Sequence, residues 1–179
     1  MRHGSVYVDM TSSAPGDEHA IAAHTSDAAF ADVAILGPVI AQRAGTPLMV
    51  SGEGSAAAAQ LLAGIGAPVT DIGGEPGDAV AHKLVRSVLA KGFAAVVCEA
   101  VEAGEAAGFG DWIRQEAAKL LPGGTATVDR YLAGTRKHAA RRGQEMVESA
   151  AFLASLGVPN EMAAAAARTH QRFAEAGDQ

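Results

Sequence analysis

Lys83 stands at the start of a long apolar stretch, EPGDAVAHKLVRSVLAKG at residues 75–92, six residues after a glycine. A lysine in such a place is either a solvated charge whose stem lies on apolar surface or an acid/base group. The second role requires burial or a neighbouring cation to lower a lysine's pKa towards neutrality. Arg86, three positions further on, is a candidate for that cation or for a contact to an anionic ligand.

Other reactive residue types show no pattern typical of a catalytic or metal site. The six histidines have no metal-ligand spacing such as H-E-x-x-H, and a single cysteine, Cys98, excludes a cysteine-rich zinc site and an internal disulfide. Cys98 lies in the apolar run AAVVCEAV and is predicted to be a core residue. No G-x-S-x-G, P-loop or G-x-G-x-x-G pattern occurs, and the glycine-rich SGEGSA, residues 51–56, is interpreted as a turn.

The composition is that of an ordinary soluble protein with one domain or two small ones. Of 179 residues, 49% are hydrophobic and 19% are charged. The net charge of -6 argues against a nucleic-acid partner. No apolar run reaches the roughly 18 residues of a membrane span, and no signal peptide precedes the first strand. We therefore expect a cytoplasmic protein that contacts neither nucleic acid nor membrane.

The first 74 residues alternate between predicted strands and helical segments, which indicates βαβ units. Pro15 suits a first helical turn, and Asp17 and Glu18 complement the positive end of that helix. Four strands are predicted, at 5–10, 28–36, 47–52 and 68–73, with a further helix at 55–66.

After Gly74 the sequence becomes helical throughout. Proline is absent for some thirty residues after Pro76, and apolar residues recur at helical spacing. A helix of about 30 residues would be about 45 Å long. Three more helices are predicted, at 111–121, 127–157 and 161–176. The predicted fold class is α/β followed by all-α, with domains at 1–74 and 75–179.

Four stretches, in order along nearly the whole chain, resemble the 6-phosphogluconate dehydrogenase and β-hydroxyacid dehydrogenase superfamily. The first is DMTSSAP, residues 9–15, similar to D-x-S-T-x-x-P, and the second is DVAILGPV, residues 32–39, similar to D-A-P-V-S-G-G. The resemblance implies that Thr11, Ser12 and Gly37 contact substrate. Leu36 and Pro38 depart from the second motif, which removes a carboxylate-binding hydroxyl. On local pattern alone, the first stretch is more typical of a helix-capping turn, and the Gly-Pro pair of the second indicates only a turn.

The third stretch, GEPGDAVAHKLVRS, resembles G-x-x-G-x-G-x-x-x-K-x-x-x-N, with Ser87 in place of the asparagine. The resemblance makes Lys83 the acid/base that takes the hydroxyl proton, Arg86 and Ser87 contacts to an anionic substrate, and Gly77 a cofactor contact. Lys83 and Ser87 are four positions apart on one helix, so they share a face.

The fourth stretch, KHAARRGQEM, lies where relatives carry a Lys-Asp pair that points to the nicotinamide. One register places Gln144 and Glu145 opposite that pair as cofactor contacts, and another uses Lys137 and His138. His138, Arg141 and Arg142 form a basic patch that could hold a phosphate or carboxylate. The alternative interpretation is a solvated helix face.

The resemblance implies the C-terminal part of an NAD- or NADP-dependent oxidoreductase, with the end of a Rossmann-type domain before a helical domain. The glycine-rich dinucleotide turn is absent, so a longer enzyme or a separate nucleotide-binding chain is expected to supply it, and the chain alone is expected to be inactive. We further expect a homodimer through the helical domain and a small anionic substrate. The alternative is a non-catalytic dimerisation or binding module with the same fold.

Overall fold

The computed structural model describes residues 5–25, 27–157 and 159–177. The chain divides into two compact units, Met1–Lys83 and Leu84–Gln179. The first unit contains a sheet and the second is helical. The long helix α4, Asp78–Ala106, begins in the first unit and continues in the second. The units therefore divide inside this helix, whereas the sequence pattern changes just before it.

The first unit is built on one four-stranded sheet in the order β1-β2-β3-β4. The strands are β1 Val6–Asp9, β2 Ala29–Ile35, β3 Leu48–Ser51 and β4 Val69–Gly73. The helices between them are α1 Pro15–His24, α2 Val39–Gln42 and α3 Ser55–Gly64, with a 3₁₀ turn at Arg43–Gly45. The pairs β1–β2 and β3–β4 are parallel, as predicted from the alternating pattern.

The pairing of β2 with β3 is antiparallel, so this step is not a βαβ unit. The sequence between these strands, GPVIAQRAGTP, predicts a loop with glycine and proline rather than a crossover helix. The connection at residues 36–47 contains only the four-residue α2 and a 3₁₀ turn. A parallel crossover needs a longer connection, usually a full helix packed on the sheet, whereas an antiparallel return does not.

The core of the first unit lies between the sheet and α3. Its buried residues are Ala31, Val33, Leu48, Val50, Ala58, Leu62 and Ala67. Five consecutive residues of β2, Phe30 to Ala34, are buried, which is typical of a strand inside a covered sheet.

The second unit packs the rest of α4 with four further helices. These are α5 Gly110–Leu120, α6 Gly124–Lys137, α7 Ala139–Ser155 and α8 Glu161–Gly177. One core cluster is formed mainly by alanines around Met146, which lets the helices approach closely. A second cluster contains Cys98, so the prediction that Cys98 is a core residue is confirmed. Burial raises the pKa of its thiol.

The single helix predicted at 127–157 is wrong, because the chain breaks at His138 between α6 and α7. His138 has φ -124° and ψ 25°, outside the helical region. In an unbroken helix, Lys137 and Arg141 would lie one turn apart on the same face. Like charges in that arrangement destabilise a helix. Gly134 also weakens the last turn of α6, since glycine is a poor helix former.

Helix α4 buries one face in the second unit and exposes the other. Leu84 and Val97 are buried, whereas Leu89, Phe93 and Val96 are 63%, 50% and 54% exposed. Within the described residues, no helix combines the length and apolar character that a membrane span requires.

Candidate functional site

The first unit brings Lys83 and Ser12 into direct contact. Lys83 Nζ donates a hydrogen bond to Ser12 Oγ over 2.7 Å, although the two residues are far apart in the sequence. Lys83 is half-buried and Ser12 is exposed, so a ligand can reach the pair from solvent. Two residues from two separate predicted stretches therefore lie at one place.

The first turn of α4, the helix that carries Lys83, is anchored to the sheet by two buried polar side chains. The backbone N–H of Val80 donates to Asp32 Oδ2 over 3.0 Å, and that of Ala79 donates to Ser51 Oγ over 3.0 Å. Ser51 Oγ in turn donates to Asp32 Oδ2 over 3.2 Å. These bonds satisfy N–H groups that have no partner inside the helix. Asp32 and Ser51, neither predicted as a site residue, thus fix where the turn that leads to Lys83 begins.

Asp32 is 2% exposed. Burial raises the pKa of its carboxyl, while the bonds from Val80 and Ser51 act in the opposite direction. Asp32 begins the second predicted stretch, but a cap between β2 and α4 links positions 48 residues apart. Local spacing does not reveal such a bond.

The predicted loop residues of the first unit have structural partners of their own. The N–H of Thr11 donates to Asp9 Oδ1 over 2.7 Å, and the Thr11 side chain is exposed. At Gly37 an added Cβ would lie 2.3 Å from Gln42 Oε1, so the site is closely packed. Gly77 has φ +99°, and its Cβ would lie 2.7 Å from the carbonyl oxygen of Pro15. Ligand contacts by Thr11, Gly37 and Gly77 stay predictions.

Glu18 is a buried carboxyl that the sequence pattern does not reveal. It is 0% exposed, and Ser13 Oγ donates a hydrogen bond to its Oε1. Its Oε2 has no hydrogen-bond partner among the described residues. Burial raises the pKa of Glu18, and the nearby charges of Asp32 and Asp9 add to the increase. Its position in the first turn of α1 suggested only a helix-end charge.

The second unit contains a separate polar network centred on Lys91. Lys91 Nζ donates to Ser87 Oγ over 2.7 Å and lies 2.7 Å from Glu145 Oε2. Arg141 Nη1 lies 2.5 Å from the other oxygen, Oε1. Burial alone would raise the pKa of Glu145, but the ion pairs with Lys91 and Arg141 outweigh it and hold that pKa below its usual range.

Lys91 is the main functional candidate that sequence reasoning missed. Its four-residue spacing from Ser87 on α4 was an available signal, whereas its pairing with Glu145 on α7 is a tertiary contact. In the register that uses Gln144 and Glu145, a lysine does face the acid, but it comes from α4. Gln144 Nε2 donates to Glu148 Oε1 over 3.1 Å at the surface. Arg86 is exposed.

His170 lies beneath this network and is 0% exposed. Its Nε2 is 3.3 Å from the backbone carbonyl oxygen of Lys91. Burial lowers the pKa of His170, which favours the neutral form of the ring. No group of three or more potential metal-ligand side chains (His, Cys, Asp or Glu) is assembled in the described part of the chain.

Comparison with known proteins identifies the fold. Residues 105–173 match the family described as Domain of unknown function (DUF1932). A solved structure of a conserved protein of unknown function, which has structural similarity with 3-hydroxyacid dehydrogenases, is 27% identical with a TM-score of 0.78. The match covers 96% of this chain and 66% of the chain in that solved structure. The fold is that of the 3-hydroxyacid dehydrogenases. The predicted resemblance to that fold and the predicted fold class, an α/β part before a helical part, are confirmed.

Two further structures share this 3-hydroxyacid dehydrogenase fold. A conserved hypothetical protein from Sinorhizobium meliloti 1021 is 30% identical with a TM-score of 0.75, over 93% of this chain and 57% of that one. Psf3 in complex with NADP+ and 2-OPP is 19% identical with a TM-score of 0.68, over 98% of this chain and 66% of that one. The chain therefore spans less than two thirds of the length of each of these structures. No curated protein is significantly similar to it in sequence.

Proposed function

We propose that this chain is the substrate-binding and acid/base part of an NAD(P)-dependent oxidoreductase that acts on a hydroxy acid or a related alcohol or imine centre. The contact between Lys83 Nζ and Ser12 Oγ carries the proposal. An ammonium and a hydroxyl within 2.7 Å of each other can both reach one small polar ligand. The fold, and the NADP+ bound by a protein that shares it, support the same assignment.

In the proposed reaction the neutral amine of Lys83 takes the proton from the substrate hydroxyl as that carbon loses hydride. The ammonium formed in this way returns the proton in the reverse direction. The bound nicotinamide supplies the hydride acceptor. Ser12 and Thr11 orient the substrate through their hydroxyl groups. Arg86 and Ser87 are proposed contacts to a negatively charged substrate group. Ser87 is 5% exposed, and its Oγ accepts a hydrogen bond from Lys91. A hydroxyl that accepts one bond can still donate another.

The residues described fit the nicotinamide end of a dinucleotide better than its phosphates. The pair Ser12 and Lys83 offers a hydroxyl and an ammonium at an accessible place. At Gly77, the predicted cofactor contact, the Pro15 carbonyl oxygen lies 2.7 Å from where a Cβ would be. We therefore propose that a Rossmann-type segment outside these 179 residues, in the same chain or in a separate one, holds the pyrophosphate.

The test is NADP+-dependent oxidation of a panel of 3-hydroxy acids by the chain supplied with such a segment, for instance the N-terminal part of the Sinorhizobium meliloti protein. We expect Lys83→Ala to lower turnover about 10²–10⁴-fold with a much smaller effect on KM. Lys83→Arg should fail as well, since a guanidinium does not release its proton at working pH. Lys119→Ala, an exposed lysine on α5, is the control. Near-normal turnover of Lys83→Ala would refute the acid/base role.

We also propose that the helical unit forms a homodimer through the exposed face of α4. Val85, Leu89, Phe93 and Val96 recur at helical spacing there, and each is at least 50% exposed. Contiguous apolar surface of that kind usually marks an interface. A reducing cytoplasm is the proposed location, since one buried cysteine cannot form an internal disulfide.

A further inference from the structure

A surface cavity of about 400 Å³ lies in the second unit where α6 ends and α7 begins. Its charged and titratable lining consists of Arg136, Lys137, His138 and Arg141. The rest of the lining is apolar, formed by Ala139, Ala140, Phe173 and Ala174. The volume lies in the range of small-molecule sites, which is about 300–1,000 Å³.

Among the described residues, nearby acids balance only part of the positive charge around this cavity. Neither Arg136 nor Lys137 forms an ion pair in the described part of the chain, so no carboxylate there lies within 4.0 Å of either charge. Arg141 pairs with Glu145, but that carboxylate is shared with Lys91. Partial burial and then the charges of Arg141, Lys137 and Arg142 lower the pKa of His138, with no acid opposing them. The whole chain, by contrast, carries a net charge of -6.

Helix-end electrostatics explain only part of this cluster. Arg136 and Lys137 occupy the last turn of α6, where cations interact favourably with the helix dipole. Arg141 occupies the first turn of α7, where the same charge is unfavourable. That turn also has no acidic residue, and its N-cap, His138, makes no side-chain capping bond. The His138 side chain therefore caps none of the first N–H groups of α7.

We propose that this cavity binds a small anion that carries a phosphate or diphosphate group. Two arginines and a lysine require more than one negative charge for neutralisation, which a monocarboxylate does not supply. The guanidinium groups of Arg136 and Arg141 match phosphate oxygens in a bidentate arrangement. The small apolar part of the lining leaves room for an organic substituent on the phosphate. This site does not depend on the oxidoreductase activity proposed above.

Calorimetric titration of the full chain with inorganic phosphate, inorganic pyrophosphate and ADP tests the site. We expect saturable binding of pyrophosphate that is tighter than that of phosphate and weaker at high salt. Lys137→Glu and Arg136→Glu should each weaken pyrophosphate binding about tenfold or more. The matched control is Lys119→Glu, the same charge change on α5 at a side chain that is 68% exposed. Circular dichroism checks that each variant is folded.

Equal affinity for pyrophosphate and ADP would identify the diphosphate as the recognised group. Tighter binding of ADP would show that the cavity also recognises the nucleoside. Either result supports the proposal. Absence of saturable pyrophosphate binding at millimolar concentration overturns it. An equal loss of affinity in Lys119→Glu also overturns it, because the effect would then follow from net charge rather than from this cavity.

Discussion

Lys91 Nζ lies 2.7 Å from Glu145 Oε2, with the two side chains 18% and 14% exposed. The pair joins α4 to α7 inside the second unit, and Arg141 and Ser87 extend it at either end. Pairs that are largely withdrawn from water stabilise little over an apolar equivalent, but the loss of one partner leaves a costly charge. The Lys91–Glu145 pair therefore makes the helical unit sensitive to substitution at either residue.

Glu145→Gln should lower the free energy of unfolding by about 2–3 kcal/mol at pH 7, because it removes the carboxylate charge opposite the half-buried Lys91. Urea denaturation followed by circular dichroism measures it. Glu148→Gln on the same helix, which alters a surface hydrogen bond from Gln144, should change the value by less than about 0.5 kcal/mol.

The same pair has a defined pH dependence. The folded-state pKa of Glu145 lies below its ordinary value of 4.5, so its stabilising contribution is present above that value. It is lost as the pH falls through the lower, folded pKa. The difference between the native protein and Glu145→Gln should accordingly shrink in acid. A difference that stays constant down to pH 3 would contradict the ion-pair account.

Glu18 should behave in the opposite sense. Its folded-state pKa is raised above 4.5 by burial, so its contribution is fully present below 4.5 and is lost as the pH rises through the folded value. Glu18→Gln keeps an acceptor for Ser13 and removes the buried charge. We expect it to raise the free energy of unfolding at pH 8 by about 1 kcal/mol or more.

Urea midpoints at pH 4 and pH 8 measure this effect. Glu53→Gln, at an exposed position in the same unit, is the control and should leave the midpoint unchanged at both values. A Glu18→Gln protein less stable than the native one at pH 8 would show that Glu18 is stabilising as a carboxylate.

The isolated chain should bind NADP+ far more weakly than a whole dehydrogenase does. The 179 residues contain no G-x-G-x-x-G turn, and that turn at a helix N-terminus supplies the pyrophosphate contacts. Calorimetry at micromolar protein concentration measures this. Weak binding that disappears in Lys137→Glu belongs to the basic cavity in the second unit. Tight 1:1 binding that survives Lys137→Glu would refute the division of roles between this chain and a nucleotide-binding segment.

The chain should be a dimer in solution, and Val96→Asp should convert it to a monomer of 18.1 kDa. A charge at a half-exposed position in an apolar interface must be desolvated on association, and stable dimers bury about 2,000 Å² or more. Light scattering coupled to size exclusion decides it. Ile40→Asp, at a side chain that is 92% exposed in the first unit, should leave the mass unchanged. If the native chain is already monomeric, the proposed dimer interface is wrong.

Local pattern was sufficient for most elements but not for contacts between them. The strand at Ala29–Ile35 and the helix at Asp78–Ala106 lie within a few residues of their predictions, since periodicity and proline placement determine them. The meeting of Ser12 with Lys83 agrees with the family resemblance, which carries tertiary information that spacing lacks. The pair of Lys91 with Glu145 and the burial of Glu18 depend on how helices pack, and no local pattern reports that.

Gly77 shows how invariance at a position could be misread. Its φ of +99° disfavours every side chain, and a Cβ would lie 2.7 Å from the Pro15 carbonyl oxygen at the start of α1. Alanine would therefore separate the starts of α1 and α4, on which Ser12 and Lys83 depend, without any ligand being involved. Invariance at this position among related sequences would follow from backbone geometry alone. A saturation-mutagenesis screen would rank Gly77 beside Lys83, although only Lys83 has a side chain that can exchange a proton with a ligand.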